Sequence, residues 1–195
     1  WKFPNDNLNP HLQTVYSDYG AGVDPDMTIR EIGIAPRPLQ HPHPPLYGGF
    51  TMSMKTALFW AKYGGTPIVL SDKLDFCKAL WSAYREEAAN HHVEKPKGQE
   101  AAWGGIAGCA PTDLDAQQQF QDMEWFWGKW GTQFGQGLPL KLVGSPDTIS
   151  RQIDDAHKQL GFDEIFLLIP QGIHSSGQII ESLDLVTQKV MPRFS

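Results

Sequence analysis

The sequence predicts an α/β fold with a parallel sheet, holding the material for half of a (β/α)8 barrel. Three observations carry this. From Leu46 onward, short apolar runs alternate with amphipathic stretches at helical spacing, which is the pattern of βα units. Two of the runs, PIVL and IFLLI, are almost continuously apolar, as in strands covered on both faces. Four βα units can be counted, whereas a whole (β/α)8 barrel takes about 250 residues and at least ~200; this chain has 195.

The elements follow in order. Residues 1–27 are polar and rich in Pro, Asn and Asp, which punctuate loops. MTIREIGI alternates apolar and polar residues and reads as a short strand. Five prolines between Pro36 and Pro45 then impose an extended path that lacks backbone donors. This first stretch, 1–45, is an excursion; 46–195 is the barrel-like domain. LYGGF is a candidate strand. MKTALFWAKY is a helix with Ala57, Phe59, Trp60, Ala61 and Tyr63 on its apolar side and Gly64 as its stop. TPIVLS is a β-branched strand. The segment 72–92 is a longer helix, with Leu74, Cys77, Leu80, Trp81 and Tyr84 at helical spacing. AAWGGIAGCA reads as a buried, glycine-rich strand, and the stretch from Pro111 to Trp130 as a helix opened by Pro, Thr and Asp. Ser145 as N-cap, Pro146 at the first helical position, Asp147 in the first turn and Gly161 as the stop delimit another helix. DEIFLLIP is the clearest buried strand. The last helix carries Ile179, Ile180, Leu183, Val186 and Val190 on one face and ends at Pro192.

Composition narrows the function classes. The net charge is −6 with no basic run, which argues against nucleic acid. No apolar run approaches the ~20 residues of a membrane span. Cys77 and Cys109 lie far apart in no metal-like spacing and read as free thiols of a reducing, cytoplasmic compartment, with one disulfide as the alternative. Trp1 is no start methionine, and no signal peptide follows; the chain is expected to be trimmed or a piece of something longer. GxSxG, Walker A and GxGxxG motifs are absent from the sequence.

Three constellations could carry chemistry. In GGFTMSMKT, a strand ends at Gly48 and Gly49, a loop carries Thr51, Met52 and Ser53, and a helix begins with Thr56 in its first turn. Helix N-termini offer backbone donors and a positive dipole end to a phosphate, and hydroxyls add donors; an ordinary N-cap is the alternative. His174 follows the best strand and precedes a helix, the place where catalytic residues of barrels collect. His41, His43, His91 and His92 read as solvated or structural, and no three or four ligands converge in the pattern a metal needs. Trp103, Trp125, Phe126, Trp127, Trp130 and Phe134 form an aromatic group. Core packing is the default for it, but the glycines of WGKWGTQFGQG suit an apolar lid, with Trp103, Trp127 and Trp130 as candidate substrate or lid residues.

In order and spacing, four stretches resemble the C-terminal half of the bacterial luciferase-like flavin monooxygenases: APRPLQHPHPPLYGGF, TMSMKTALFWAKYGG, VGSPDTISRQIDDAHKQLGFDEIFLLIP and ESLDLVTQKVMPRF. APTDLDAQ is a weaker fifth. The resemblance covers almost all of residues 28–194 and implies strands five to eight of a (β/α)8 barrel. It implies reduced FMN, or the deazaflavin F420 in some members. It also implies a separate flavin reductase as supplier, O2 and a small organic substrate, and a dimer. Ser53 falls on the family's phosphate-binding serine, Met52 on a neighbour that contacts through backbone, and Thr56 on a phosphate-contacting threonine. The family's first four strands, with a catalytic histidine, have no counterpart here, so the chain is expected to need that N-terminal half. A non-catalytic flavin-binding or partner subunit of the same fold is the other reading.

Overall fold

A computed structural model describes residues 28, 30, 39–49, 53–131, 133, 140–170 and 174–194. The chain divides into two compact units, 1–44 and 45–195. Of the strand expected at MTIREIGI, only Thr28 and Arg30 lie among the described residues. The second unit holds the elements that follow.

Its sheet is wholly parallel. Strand β1 (Tyr47–Gly48) pairs with β2 (Thr66–Val69), and β2 pairs with β3 (Ala102–Cys109). The long β3 then pairs with both β4 (Lys141–Gly144) and β5 (Ile165–Leu168). The Trp103 amide donates to Glu164 O at 3.1 Å and the Ile106 amide to Leu140 O at 2.7 Å. Amides three residues apart point to opposite edges of a strand, so β5 occupies one edge of β3 and β4 the other. That second edge is shared: the Leu140 amide donates to Leu70 O at 3.2 Å, which places β4 just beyond the end of β2. The path β1-β2-β3-β5 is therefore a run of four consecutive barrel strands, and β4 is a short addition beside them.

Local signals set the helices. Helix α1 (Met54–Tyr63) starts at Ser53 and ends at Gly64, whose φ of 71° is left-handed. Helix α2 (Leu74–Asn90) buries Cys77, Leu80, Trp81, Tyr84 and Ala88, the expected stripe. Helix α3 (Asp113–Phe120) is capped by Thr112; α4 (Asp122–Phe126) follows after one residue and runs into a π-turn at Trp127–Gly131. Helix α5 (Pro146–Leu160) has the anticipated Ser145 cap, Pro146 and a left-handed Gly161. Helix α6 (Ser176–Leu185) opens with a capping box between Ser175 and Gln178 and continues as a π-turn at Val186–Val190.

The two faces of the sheet follow strand parity. Val69, Trp103, Cys109 and Leu142 point to the helices and join Leu80, Trp81, Ile149, Ile153, Val186 and Val190 in the main core. Ile68, Leu70, Ala102 and Leu168 share the other, concave face. Above them, towards the C-terminal ends of the strands, Ile106 meets Phe120, Met123 and Ala116 of the following helices.

Two expectations are corrected here. The run IFLLI was expected to be covered on both faces. PIVL is buried throughout, but Ile165 and Phe166 of β5 remain 39% and 37% exposed. The cause is the sheet's end: β5 has β3 on one side and no strand among the described residues on the other. On α1, Phe59 and Tyr63, expected on the apolar side, are more than half exposed, leaving Ala57, Trp60 and Ala61 to pack. Cys77 and Cys109 are buried free thiols, and burial pushes each up to about 11. Among the described residues, no helix is long and apolar enough to cross a membrane, and no group of His, Cys, Asp and Glu could hold a metal.

Candidate functional site

The C-terminal ends of the parallel strands are where a βα architecture presents its loops, and hence its chemistry. The loop after β1 leads directly into α1. Ser53 has extended backbone and its Oγ accepts the Thr56 amide at 3.2 Å, the N-cap arrangement. The two hydroxyls, Ser53 Oγ and Thr56 Oγ1, lie 2.8 Å apart on the exposed first turn. Helix α1, like the serine-capped α6, carries no acidic residue in that turn, whereas α3 carries Asp113 and Asp115 and α5 carries Asp147. The first amides of a helix lack intrahelical acceptors. Two hydroxyls, these amides and nearby Lys55, with no carboxylate in the turn, are a donor set that fits a phosphate group. Thr51 and Met52 lie outside the described residues. Gly49 is exposed, and a Cβ built on it would meet nothing within 4 Å.

Gly48 answers a different need. A Cβ there would fall 1.9 Å from the Trp60 indole, and one at Gly65 would fall 2.2 Å from the same ring. These glycines let α1 lay Trp60 flat against the backbone of the sheet, so the close approach at Gly48 serves packing.

At the far end of the sheet, His174 sits between β5 and α6. Its ring stands edge-on to Phe120, with centroids 4.9 Å apart at 62°, and its Nε2 is buried without a hydrogen-bond partner. Phe120 belongs to the concave-side cluster with Ile106 and Met123, against which Trp127 packs. The structure thus places His174, Phe120 and Trp127 on the same C-terminal end of the sheet. Phe120 and Met123 were not singled out from the sequence; their helical spacing on α3 and α4 after a Gly-rich strand was the available signal.

Trp130 is 52% exposed on the π-turn. Trp103 lies elsewhere. It is 2% exposed and stacks on Phe162 with centroids 5.2 Å apart. Its Nε1 donates to Ser71 O at 3.0 Å. As an odd-numbered residue of β3 it faces the helices, so it packs the core and has no access to a lid. A small apolar pocket lies between β3, β5 and α6, lined by Ala107, Leu167, Ile179 and Val186 and reaching Phe120. Its one polar lining side chain among the described residues, Ser182, accepts the Cys109 amide at 2.8 Å.

The opposite, N-terminal end of the concave face is polar. Tyr47 of β1 donates to Glu164, just before β5, at 3.0 Å, so side chains from the first and last strands meet across the curled sheet. Lys95 reaches Thr66 and Gln99 O nearby; burial lowers its pKa, opposed by Glu164 and Glu100. In barrels this end serves stability.

A curled run of four parallel barrel strands with a hydroxyl-bearing helix start at the C-terminal end of the first defines a class: the chain has the fold of the luciferase-like flavin monooxygenases, over half a barrel. No family model and no curated protein matches the chain by sequence. Among solved structures, the monooxygenase RslO1 from Streptomyces bottropensis is similar at a TM-score of 0.68 and 17% identity, over 83% of this chain and 51% of that one. The oxygenating constituent of 3,6-diketocamphane monooxygenase from Pseudomonas putida, in complex with FMN, gives 0.64 and 17%, over 78% and 50%. The F420-dependent tetrahydromethanopterin reductase of Methanopyrus kandleri gives 0.51 and 16%, over 77% and 51%. The chain spans about half the length of these three structures.

Proposed function

We propose that the chain is the C-terminal half of a flavin-dependent monooxygenase barrel. The observation that carries the reading is the Ser53–Thr56 hydroxyl pair on a carboxylate-free helix start, at the C-terminal end of the first strand of this fold. Ser53 Oγ, Thr56 Oγ1 and the first amides of α1 hold the flavin phosphate, with Gly49, Thr51 and Met52 completing the loop. Reduced flavin, when bound, supplies the electrons with which O2 is activated to oxygenate a small organic substrate. The chain's own share is to bind, orient and exclude water. Trp127 and Trp130 form the apolar cover over the mouth. His174 offers one polar nitrogen among Phe120 and Trp127, where it would hold a substrate oxygen or its proton. A complementary half-barrel supplies the remaining wall, and a separate reductase supplies reduced FMN. F420 is the second reading, supported by the likeness to an F420-dependent reductase. A flavin-binding subunit without chemistry would bind without turnover.

FMN and riboflavin differ by the phosphate alone, so titrating both against wild type and Ser53→Ala tests the assignment. Wild type is expected to favour FMN, and Ser53→Ala to weaken FMN by about tenfold, roughly the value of one charge-assisted hydrogen bond, while leaving riboflavin unchanged. Equal losses for both ligands, or none, would remove the phosphate from this helix start. Parallel titration with F420 decides the cofactor.

A further inference from the structure

The apolar pocket between β3, β5 and α6 has walls that suit a molecule making no hydrogen bonds. Ala107, Leu167, Ile179 and Val186 line it, and the exposed Ile169 and Leu183 carry it to the surface. It leaves about 20 Å³ for the centre of a small molecule, enough for one diatomic guest. A buried water makes about three hydrogen bonds. The described lining offers one polar side chain, Ser182, whose Oγ already takes the Cys109 amide at 2.8 Å. The backbones of β3 and β5 are paired in the sheet, and that of α6 is helical. Water entering the pocket gives up more hydrogen bonds than it finds, whereas an apolar molecule loses none and gains dispersion contacts. Phe120 forms a further wall. A Cβ at Gly108 would fall 2.7 Å from that ring, so glycine lets Phe120 lie against β3. The same ring meets His174, with centroids 4.9 Å apart. The pocket and the His174 end of the site therefore share one side chain.

We propose that this pocket takes up dioxygen. The uptake stands on the pocket's walls. Its purpose rests on the oxygenase reading, since dioxygen is the apolar diatomic which that reaction consumes. A guest in the pocket is one ring away from His174, so dioxygen is held beside the reacting end.

The flavin-free 195-residue chain serves for the test, because dioxygen is paramagnetic and speeds the relaxation of the nuclei it visits. Methyl relaxation is measured by NMR under dioxygen and, as the diamagnetic control, under nitrogen. Val186 is compared with the equally buried Leu142 and Ile149, and Leu167 with the partly buried Leu140 and Leu160. The pocket methyls are expected to gain about threefold more relaxation than their counterparts, as a dry apolar cavity concentrates an apolar gas. Ala107→Ile fills the pocket and is expected to abolish that gain in a folded protein. Xenon, whose saturable shifts should fall on the same methyls of the wild type, keeps the proposal testable if Ala107→Ile fails to fold. Equal gains at pocket and control methyls, a gain that survives in folded Ala107→Ile, xenon shifts confined to other methyls, or a bound water giving Overhauser contacts to the pocket methyls would each overturn the proposal. Loss of the FMN preference over riboflavin would instead strike the flavin reading, and the uptake would still be decided by these gas measurements.

Discussion

At the scale of single residues, Gly48 shows how a sequence motif can carry a meaning other than the one its chemistry first suggests. Two adjacent glycines before a hydroxyl loop invite a phosphate reading, but the ring of Trp60 already fills the space where a Gly48 side chain would stand. Gly48→Ala is expected to cost about 1–3 kcal/mol through overpacking, measured by urea unfolding. In a Trp60→Leu background the same change is expected to cost under ~1 kcal/mol, because the obstructing ring is gone. A background-independent cost would refute the contact. Trp103 carries a similar lesson: its lid reading failed because the sequence did not reveal which parity of β3 faces the helices. The buried thiols give a pH prediction. Cys77 and Cys109 ionise near 9.0 when exposed and at about 11 when folded, because burial penalises the thiolate. Between those values the unfolded chain binds fewer protons than the folded one, so stability falls as pH rises from 9 to 11. Tyr84, likewise raised by burial from 10.0 to about 12, with its hydroxyl donating to Gly65 O at 2.9 Å, extends the decline. Urea midpoints across pH 8–12 check the sign; a midpoint that held level or rose over this range would show the groups are accessible in the folded state.

At the scale of elements, legibility tracked how local the determinants are. Helix α5 could be bounded from sequence because its Ser145 cap, Pro146 and Gly161 act within one turn of its ends. Helix α2 was legible for the length of its apolar stripe. Strand β4 was not: KLVG is short, carries Lys141, and becomes a strand only because β3 extends past β2 and leaves an edge to pair with. The fastening of α2 to β3 was also invisible, since it depends on a carboxylate 15 residues away from its cation. Glu100 is 2% exposed; it accepts from Arg85 Nη1 at 3.0 Å and from the Gly98 amide at 2.6 Å. Arg85→Met leaves a buried carboxylate short of a charged partner and is expected to cost about 1–3 kcal/mol. Adding Glu100→Gln to Arg85→Met should recover part of that, because the buried charge goes too. If the double variant is the less stable by more than Glu100→Gln costs alone, the buried charge is not the source of the loss.

At the scale of the whole molecule, the half-barrel architecture was legible because the count and order of βα units are global properties of the pattern, insensitive to errors at any boundary. What the pattern could not show is where the half-barrel ends in space. Among the described residues β5 has a strand on one side only, and a run of apolar residues reads the same with or without a second neighbour. The same architecture predicts where folding autonomy lies. The four buried clusters draw their described residues from the unit 45–195, from Met54 and Ala57 near one end to Val186 and Val190 near the other. The described ladders of the sheet lie there as well. A chain beginning at Pro45 should therefore keep the same helical circular dichroism and unfold cooperatively at a urea midpoint close to that of the full chain. Its m-value is expected to fall only slightly, because that slope follows the surface exposed on unfolding. A midpoint shifted far downward, or loss of cooperativity, would show that residues 1–44 hold the half-barrel together and would relocate part of its stability to the excursion that precedes the first strand.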